Sequence, residues 1–587
     1  MVLGVTGRPR LMLGRGASVV VLTRASSESV SPVSMRSPLQ PGCCCGLCAK
    51  CRDWHRQIAP LNGPDRPMPT LSDRSYFRVL MWLTTLGITL VMFSYVTYLS
   101  DPLNAVVNYV LTMSEGSFIF KLWLKPPVPV FLKVYIFNVT NADEFLKGGV
   151  KLKLEQVGPY VYREVLEHEH VRFNLNGTMS YVPKRFPLMT DKLVLDTSQG
   201  RGLEDKLVVP NIPLLGVASR LADQSFFMQV GFSTLVNYVD SQPFEQVTVK
   251  QYLWGYEDPI VRLASIAYSD EVTFKQLGLL DRMFDAGFDN VTMNTTTLNI
   301  DTYNGQSMLH SLNRSGMCDE PLRGVSEGVL FQRNVSRNKT LQVYRKGFCR
   351  TLAIQFEKEE PAGNVNGNPG GLRFVIPAQA FNASQNQEHS CHCGRKSPDQ
   401  KCALKDGLSD IQDCYYGIPA AASFPHFLHA DPSLLDKIEG LNPDIEKHQA
   451  YVVIQQQLGI PVGGHMRIQT NLVLKKNRFV KRIAPFGDMI LPIVWTDLTF
   501  EEIPSTLQWM LNLCLKVVPP LQNGFIYCGA ALGFSMLLAA FVGYLCLPIA
   551  AKPDRPSPME SRRSSKVVQV LMADELLRPR TEFSVAV

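Results

Sequence analysis

Residues 79–99 read VLMWLTTLGITLVMFSYVTYL, 21 residues without a charge. As a helix at 1.5 Å per residue this stretch spans roughly 31 Å, the thickness of a bilayer's hydrocarbon core. Residues 524–548, GFIYCGAALGFSMLLAAFVGYLCLP, repeat the pattern near the other end. Core helices of a soluble enzyme are not apolar on every face, so both stretches are expected to be transmembrane helices. Arg74 and Arg78 precede the first, and Lys552, Arg555, Arg562 and Arg563 follow the second. The positive-inside rule then places both tails in the cytoplasm.

Glycosylation signals agree. The acceptors Asn138, Asn176, Asn290, Asn294, Asn313, Asn334, Asn338 and Asn382 each begin an Asn-x-Ser/Thr triplet, and all eight lie between the two apolar stretches. Oligosaccharide is added on the lumenal side only, so that interval is expected outside the cytoplasm. The chain divides into a largely disordered cytoplasmic tail (1–78), a span (79–99), a glycosylated ectodomain (100–523), a second span (524–548) and a cytoplasmic tail (549–587). The net charge of +7 comes from the tails, +7 in residues 1–78 and +2 in 549–587, leaving −2 between. The basic tails face an anionic leaflet, and no nucleic-acid partner is expected. An ectodomain of 424 residues holds one large or two ordinary domains.

Cysteines divide by compartment. Cys318, Cys349, Cys391, Cys393, Cys402 and Cys414 fall within the ectodomain's second half and read as three disulfides, with fifteen connectivities open. A zinc site on Cys391-His392-Cys393 lacks a second ligand pair. On the cytoplasmic side Cys43, Cys44, Cys45, Cys48 and Cys51 cluster, and Cys546 sits at the inner edge of the second span. These are palmitoylation candidates, with zinc binding or plain reduced thiols as the other readings of the cluster. Residues 1–34 faintly resemble a mitochondrial presequence, a destination that glycan acceptors and paired cysteines oppose. At the C-terminal end Asp574-Glu575-Leu576-Leu577 resembles a dileucine sorting signal, Arg562-Arg563-Ser564-Ser565 a kinase site, and Val585-Ala586-Val587 a PDZ ligand.

The ectodomain reads mainly as strand. Val130, Leu132, Val134 and Ile136 alternate with Phe131, Lys133, Tyr135 and Phe137, which predicts a strand covered on both faces. Met466, Ile468, Thr470, Leu472 and Leu474 alternate with Arg467, Gln469 and Asn471, which predicts a half-buried one. Asn176-Gly177 between two strand-like runs signals a hairpin. Apolar residues at spacings of three, four and seven predict a helix over 213–239 and a second near 247–254. An all-β core with a helical insertion follows.

Four motifs then carry a resemblance. Gly158-Pro159-Tyr160 followed by Val-Tyr-Arg-Glu, Leu253-Trp254-Gly255-Tyr256-Glu257-Asp258-Pro259, Phe424-Pro425-His426-Phe427-Leu428 with Asp431-Pro432, and Glu439-Gly440-Leu441-Asn442-Pro443 resemble the class B scavenger receptor family. That family includes fatty acid translocase, the high-density-lipoprotein receptor, lysosomal integral membrane protein type two and insect sensory neuron membrane proteins. The likeness runs from about residue 76 to 551. It implies an antiparallel β-barrel core, a helical bundle at the membrane-distal apex and an apolar tunnel towards the bilayer. It also implies the pairs Cys318–Cys391, Cys349–Cys414 and Cys393–Cys402, an arrangement that differs from the lysosomal branch.

The resemblance implies a plasma-membrane glycoprotein, with an endosomal or lysosomal address as the other reading. It would bind lipid (fatty acid, sterol, carotenoid or phospholipid) or lipid carriers such as lipoprotein particles, and pass lipid to the membrane. A receptor for protein ligands without lipid transfer is the competing function. Phe226, Phe227, Met228, Tyr238 and Asp240 are the candidate ligand-binding residues at the apex. Particle-binding relatives carry lysines where this chain has Asn237-Tyr238-Val239-Asp240, so polyanionic ligands are disfavoured there. No catalytic signature is present: Gly231-Phe232-Ser233-Thr234-Leu235 lacks the final glycine of a nucleophile elbow, and His168-Glu169-His170 reads as a solvated strand face. No cofactor or metal is expected.

Overall fold

The structure, a computed structural model, describes residues 74–189, 202–267, 272, 274–284, 289–309, 320–346, 350–361, 370–382, 404–412, 415, 417–500 and 503–546. The six ectodomain cysteines assigned to disulfides, the Cys43–51 cluster, Asn313 and the tail motifs lie outside them. Two compact units divide between Thr89 and Leu90 and between Ala531 and Leu532. The two candidate transmembrane helices, Arg74–Ser100 and Val518–Leu545, cross that division.

Small residues let these helices approach in both units. Within the first, a Cβ at Gly87 would stand 2.9 Å from Leu537 and one at Gly543 would stand 2.5 Å from Leu80. Within the second, a Cβ at Gly529 would stand 2.7 Å from the Ser94 hydroxyl, and the Gln522 side chain bridges Asp101 and the Leu103 amide. In lipid, where apolar surface gives helices no reason to associate, close packing of this kind is what pairs them.

The Leu90–Ala531 unit is built on one large sheet. The main path through it comprises β1 (Val130–Val139), β2 (Leu152–Phe173), β3 (Thr178–Met189), β4 (Val291–Asn294), β5 (Ile300–Tyr303), β6 (Val325–Ser326), β7 (Leu341–Arg345), β8 (Arg350–Glu360), β9 (Gly371–Val375), β10 (Tyr451–Ile454), β11 (Pro461–Val473) and β12 (Ile490–Phe500), with the short strands Ser409–Asp410, Ala420–Ser423 and Ile438–Glu439 paired beside it. The path runs in the order β6-β7-β8-β9-β10-β11-β12-β1-β2-β3-β4-β5, antiparallel except for β6 beside β7. The ends of that path meet at a bridge between Asn299 and Ser326, so the sheet is a nearly closed barrel.

β1 has the alternation expected of a doubly covered strand. Leu132, Val134 and Ile136 are buried, and Tyr135 stacks on Trp495 of β12 at 3.9 Å. The hairpin forms with a four-residue tip, Asn174-Leu175-Asn176-Gly177, closed by the Asn174 amide donating to the Thr178 carbonyl at 2.8 Å.

β11 departs from expectation. Arg467, Gln469 and Asn471, read as a solvent face, are buried because the segment Ala420–Ser423 pairs along the strand and residues 424–428 lie over it. Asn471 donates to the Ala421 carbonyl and Ser423 Oγ, Gln469 accepts from the His426 amide at 2.7 Å, and Arg467 pairs with Asp497 at 3.3 Å. Polar residues survive burial there because each is hydrogen-bonded.

The single helix expected over 213–239 is two, α1 (Ile212–Leu221) and α2 (Phe226–Tyr238), followed by α3 (Pro259–Ala267). Apolar periodicity runs through the break, which is why it was invisible. The break is held by Gln229, whose side-chain amide donates to the carbonyls of Ala222 and Gln224. Val247 lies in a strand, Phe244–Thr248, paired with Lys206–Pro210, and a Thr248/Gln251 capping box starts the next helix at Val249.

The four motifs are structural fasteners. A Cβ at Gly158 would stand 2.6 Å from the Val134 carbonyl, and one at Gly440 would stand 1.9 Å from that of Leu154. Asp258 caps α3 through the Ile260 and Val261 amides, and Trp254 Nε1 donates to the Tyr162 hydroxyl. His426 bonds Gln156 at 2.7 Å and stacks on His448, and burial, then His448, lowers its pKa to about 3, so it stays neutral at physiological pH.

Candidate functional site

α1, α2 and α3, with Phe274, Leu277 and Ile418, line a cleft of about 640 Å³ that is open to solvent on one side, within the roughly 300–1,000 Å³ range of small-molecule sites. Val217, Leu221, Phe232, Leu235, Ile260 and Ala264 give it an apolar wall, while Arg220 and Gln224 are its polar groups. Phe227 and Met228, candidates from the sequence, line it as well. Phe227 is 83% exposed and Met228 46%, so both link the cavity to the surface. Phe226 instead packs edge-on against Phe479 at 5.3 Å. Tyr238 and Asp240 lie outside the lining. Tyr238 is 86% exposed, whereas Asp240 pairs with Arg482 at 2.7 Å, so its negative charge is partly offset locally. The α3 residues and Ile418 were not found from sequence, because α3 is joined to the site only by folding.

At the foot of α1, Asn211 caps the helix through the Leu214 amide and donates to Ser241 and Glu245. Burial, then the charge of Asp258, pushes the Glu245 carboxyl up to about 7. A folded-state pKa above the unfolded one stabilises the fold fully below the ordinary value of 4.5, and this contribution is lost as pH rises through about 7. Glu245→Gln should therefore remove that slope. Thermal melting is expected to show the variant gaining on the parent at pH 8 relative to pH 4.5.

Inside the barrel two smaller chambers share a wall of Glu164, Arg185, Arg345 and Leu498. Arg185 donates to Glu164 and to Glu327, each at 2.9 Å, and Tyr181 donates to Glu327 at 2.7 Å. His168, expected on a solvated face, is buried beside this group. It stacks on Trp123 at 3.7 Å, bonds the Trp123 carbonyl through Nδ1 at 2.8 Å and faces Glu327 through Nε2 at 3.4 Å. His170 stays exposed, because β2 bulges between Glu169 and Arg172 and His170 takes φ 53°, which breaks the two-residue alternation. Burial works against the charge on Glu327, yet His168, Arg185 and Tyr181 hold its carboxyl well below the usual range.

Of the acceptor asparagines, Asn176, Asn290, Asn334 and Asn338 are exposed, while Asn138, Asn294 and Asn382 are half-buried. Asn138 is further tied, accepting from the Val208 amide and donating to Glu155. Cys546 is exposed at the end of the second span. Among the described residues, no group of three or more His, Cys, Asp or Glu is placed to hold a metal ion.

Comparison with known proteins joins these features. The CD36 family model matches residues 82–544, both spans and the barrel between them. The chain is 31% identical to lysosome membrane protein 2 of Rattus norvegicus over 69% of this chain and 83% of that protein. It is 28% identical to scavenger receptor class B member 1 of Sus scrofa over 73% of this chain and 82% of that protein. The chain thus belongs to the CD36 family, whose members are receptors and not enzymes.

Proposed function

We propose that this membrane receptor binds lipid in the α1–α3 cavity and transfers it from a carrier towards the bilayer in which its two helices stand. The observation that carries this reading is an apolar cavity of ligand size whose surface edge is formed by Phe227 and Met228. Removing an acyl chain or sterol from water is worth about 0.8 kcal/mol per CH₂ group, so a covered apolar site lowers the cost of crossing water between carrier and membrane. The test is transfer of fluorescent fatty acid or sterol from albumin to vesicles carrying the purified full-length protein. Transfer faster than in protein-free vesicles supports the reading. Binding of carrier without transfer means a docking receptor.

Exposed Tyr238, with Phe226 and Phe227, is proposed as the carrier-facing surface. Because Asp240 is already paired with Arg482, Tyr238→Lys alone is the cleaner change. It should raise binding of anionic particles several-fold at low salt, with the gain shrinking as the screening length falls to about 8 Å at physiological ionic strength. Unchanged particle binding at low salt would remove this surface from the docking role.

Glycan occupancy at the exposed acceptors, cytoplasmic tails and the pairing Cys349–Cys414 belong to the same proposal. The pairing is supported by Arg350, which donates to Ser409 at 2.9 Å and so ties the start of β8 to the segment leading to residue 414. Cys349→Ser and Cys414→Ser should each remove about 4 kcal/mol, the chain-entropy value for a loop of roughly 65 residues, and be retained in the secretory pathway. Peptide mapping that joins Cys349 to another cysteine would overturn the pairing.

A further inference from the structure

The run Leu474-Lys475-Lys476-Asn477-Arg478-Phe479-Val480-Lys481-Arg482, between β11 and β12, carries five cations and no acid. The interval between the two tails has a net charge of −2, so the run reverses the field locally. Its apolar residues are turned inward. Leu474 and Val480 are buried, and Phe479 is half-buried, with its ring against Phe226 and its carbonyl accepting from Ser233 Oγ of α2 at 2.8 Å. Asn477 is buried too. Its amide donates to the Ala218 carbonyl of α1 at 3.0 Å, and its oxygen accepts from the Phe479 and Val480 amides, so one side chain ties the loop down and folds its turn. The Lys476 amide is held by the Asp488 carboxylate at 2.9 Å. With these residues pinned beneath, the cations are left on the outside.

The five cations are not equivalent. Lys475 pairs with Asp223, and Arg482 pairs with Asp240 at 2.7 Å. Lys476, Arg478 and Lys481 are exposed, and among the described residues none of them is in an ion pair. Lys437 donates to the Asp488 carbonyl at 3.0 Å, which sets a cation beside that carboxylate. The neighbouring helix Ala142–Lys147, seated by Phe145 against Phe486 at 5.0 Å, brings Lys147 but also Asp143 and Glu144, so the excess stays with the loop. Chain geometry keeps Lys476 within about 7 Å of Arg478, and Arg478 within about 11 Å of Lys481. Those spacings are close to the screening length of about 8 Å at physiological ionic strength, so the three potentials overlap.

We propose that this loop binds a sulfated glycosaminoglycan, with Lys476, Arg478 and Lys481 as its contacts. A short run rich in lysine and arginine is the pattern of a heparin-type patch, and a linear chain of permanently charged sulfates matches a row of cations whose backbone is already fixed. The Arg478 fork can take two oxygens of one oxyanion, and little ordering cost is left for the loop on binding. A nucleic acid would need aromatic faces for its bases, and an anionic lipid surface would need apolar side chains to enter it. This loop presents neither, because Phe479 and Val480 face α1 and α2. None of the three cations lines the α1–α3 cavity, so the site is separate from the lipid-binding one.

The test passes full-length protein in phosphatidylcholine nanodiscs over immobilised heparin and over heparin stripped of its sulfates. The parent protein should bind heparin and not the desulfated chain. Its log affinity should fall against log salt with a slope of roughly −2, the counterion release of three contacts on a polyanion. The triple change Lys476→Gln, Arg478→Gln and Lys481→Gln should weaken heparin binding by about tenfold or more, the combined scale of three exposed ion contacts, with melting temperature and lipid transfer unchanged. Lys121→Gln, Lys250→Gln and Lys339→Gln together remove the same charge from exposed positions elsewhere and should leave binding close to parental. Lys476→Arg with Lys481→Arg keeps the charge and should keep the binding; loss there would trace the effect to the fold and overturn the assignment. Equal binding to the desulfated chain, or an equal loss in the two glutamine triples, overturns it as well. Phosphatidylserine vesicles are the rival polyanion: if the loop triple loses these and not heparin, the surface belongs to lipid and the glycan assignment fails.

Discussion

Arg185→Met is expected to lower the stability of the barrel by about 3–5 kcal/mol, the cost of stranding buried carboxylates when one partner of an ion pair is removed. Arg185 is the only residue here that bonds both Glu164 and Glu327 at hydrogen-bond distance among the described residues. Those two carboxylates come from β2, an interior strand of the path, and from the turn beyond β6, the strand at one of its ends. Burial opposes the guanidinium charge, yet the two carboxylates raise its pKa above the ordinary value, so the charged pair state is the one the fold holds. Adding Glu327→Gln to Arg185→Met removes one stranded charge and should return part of the loss. Denaturant unfolding of the single and double variants measures the coupling. A loss under 1 kcal/mol in the single variant would mean that water or rearrangement compensates the carboxylates and that the cluster does not hold the barrel closed.

Ala264→Trp should nearly abolish lipid occupancy of the α1–α3 cavity. Ala264 lies on α3 and lines the cavity, and an indole there takes space that an acyl chain would fill. Displacing about three methylenes costs about 2.4 kcal/mol, or roughly fiftyfold in affinity. Stability should change little, because the ring enters existing space and not packed core. Lipid transfer and thermal melting measured on the same preparation separate the outcomes. Transfer at the parental rate from a stably folded variant would show that lipid moves by another route, and the cavity would lose its assigned role.

Much of the fold was legible because it rests on local signals. Charge-free runs of helix length, the alternation in β1 and the Asn-Gly hairpin each specify an element from neighbouring residues alone. The failures have equally local causes. Residues 213–239 keep one apolar periodicity across two helices, and the break depends on Gln229 reaching back to two carbonyls. The alternation of β11 predicts the strand but not the burial of its polar face, since nothing in a strand says that a second layer will cover it. His168 and His170 were assigned to one face because period two assumes no bulge, and the bulge between Glu169 and Arg172 divides them.

The site divides along the same line. The sequence singles out the apolar run Phe226-Phe227-Met228 with Tyr238 and Asp240 farther along; Phe227 and Met228 line the cavity, while Phe226, Tyr238 and Asp240 take other surroundings. Span length, strand period and short glycine- and proline-bearing motifs are properties of contiguous residues, so the two apolar spans, the β-rich interval between them and the family are legible in the chain. The cavity and the barrel's ionic wall arise on folding. Glu164, Arg185, Glu327 and Arg345 are dispersed over three strands and a turn, and no periodicity relates them; barrel closure brings them within hydrogen-bond or ion-pair reach and removes the water that would otherwise screen their charges.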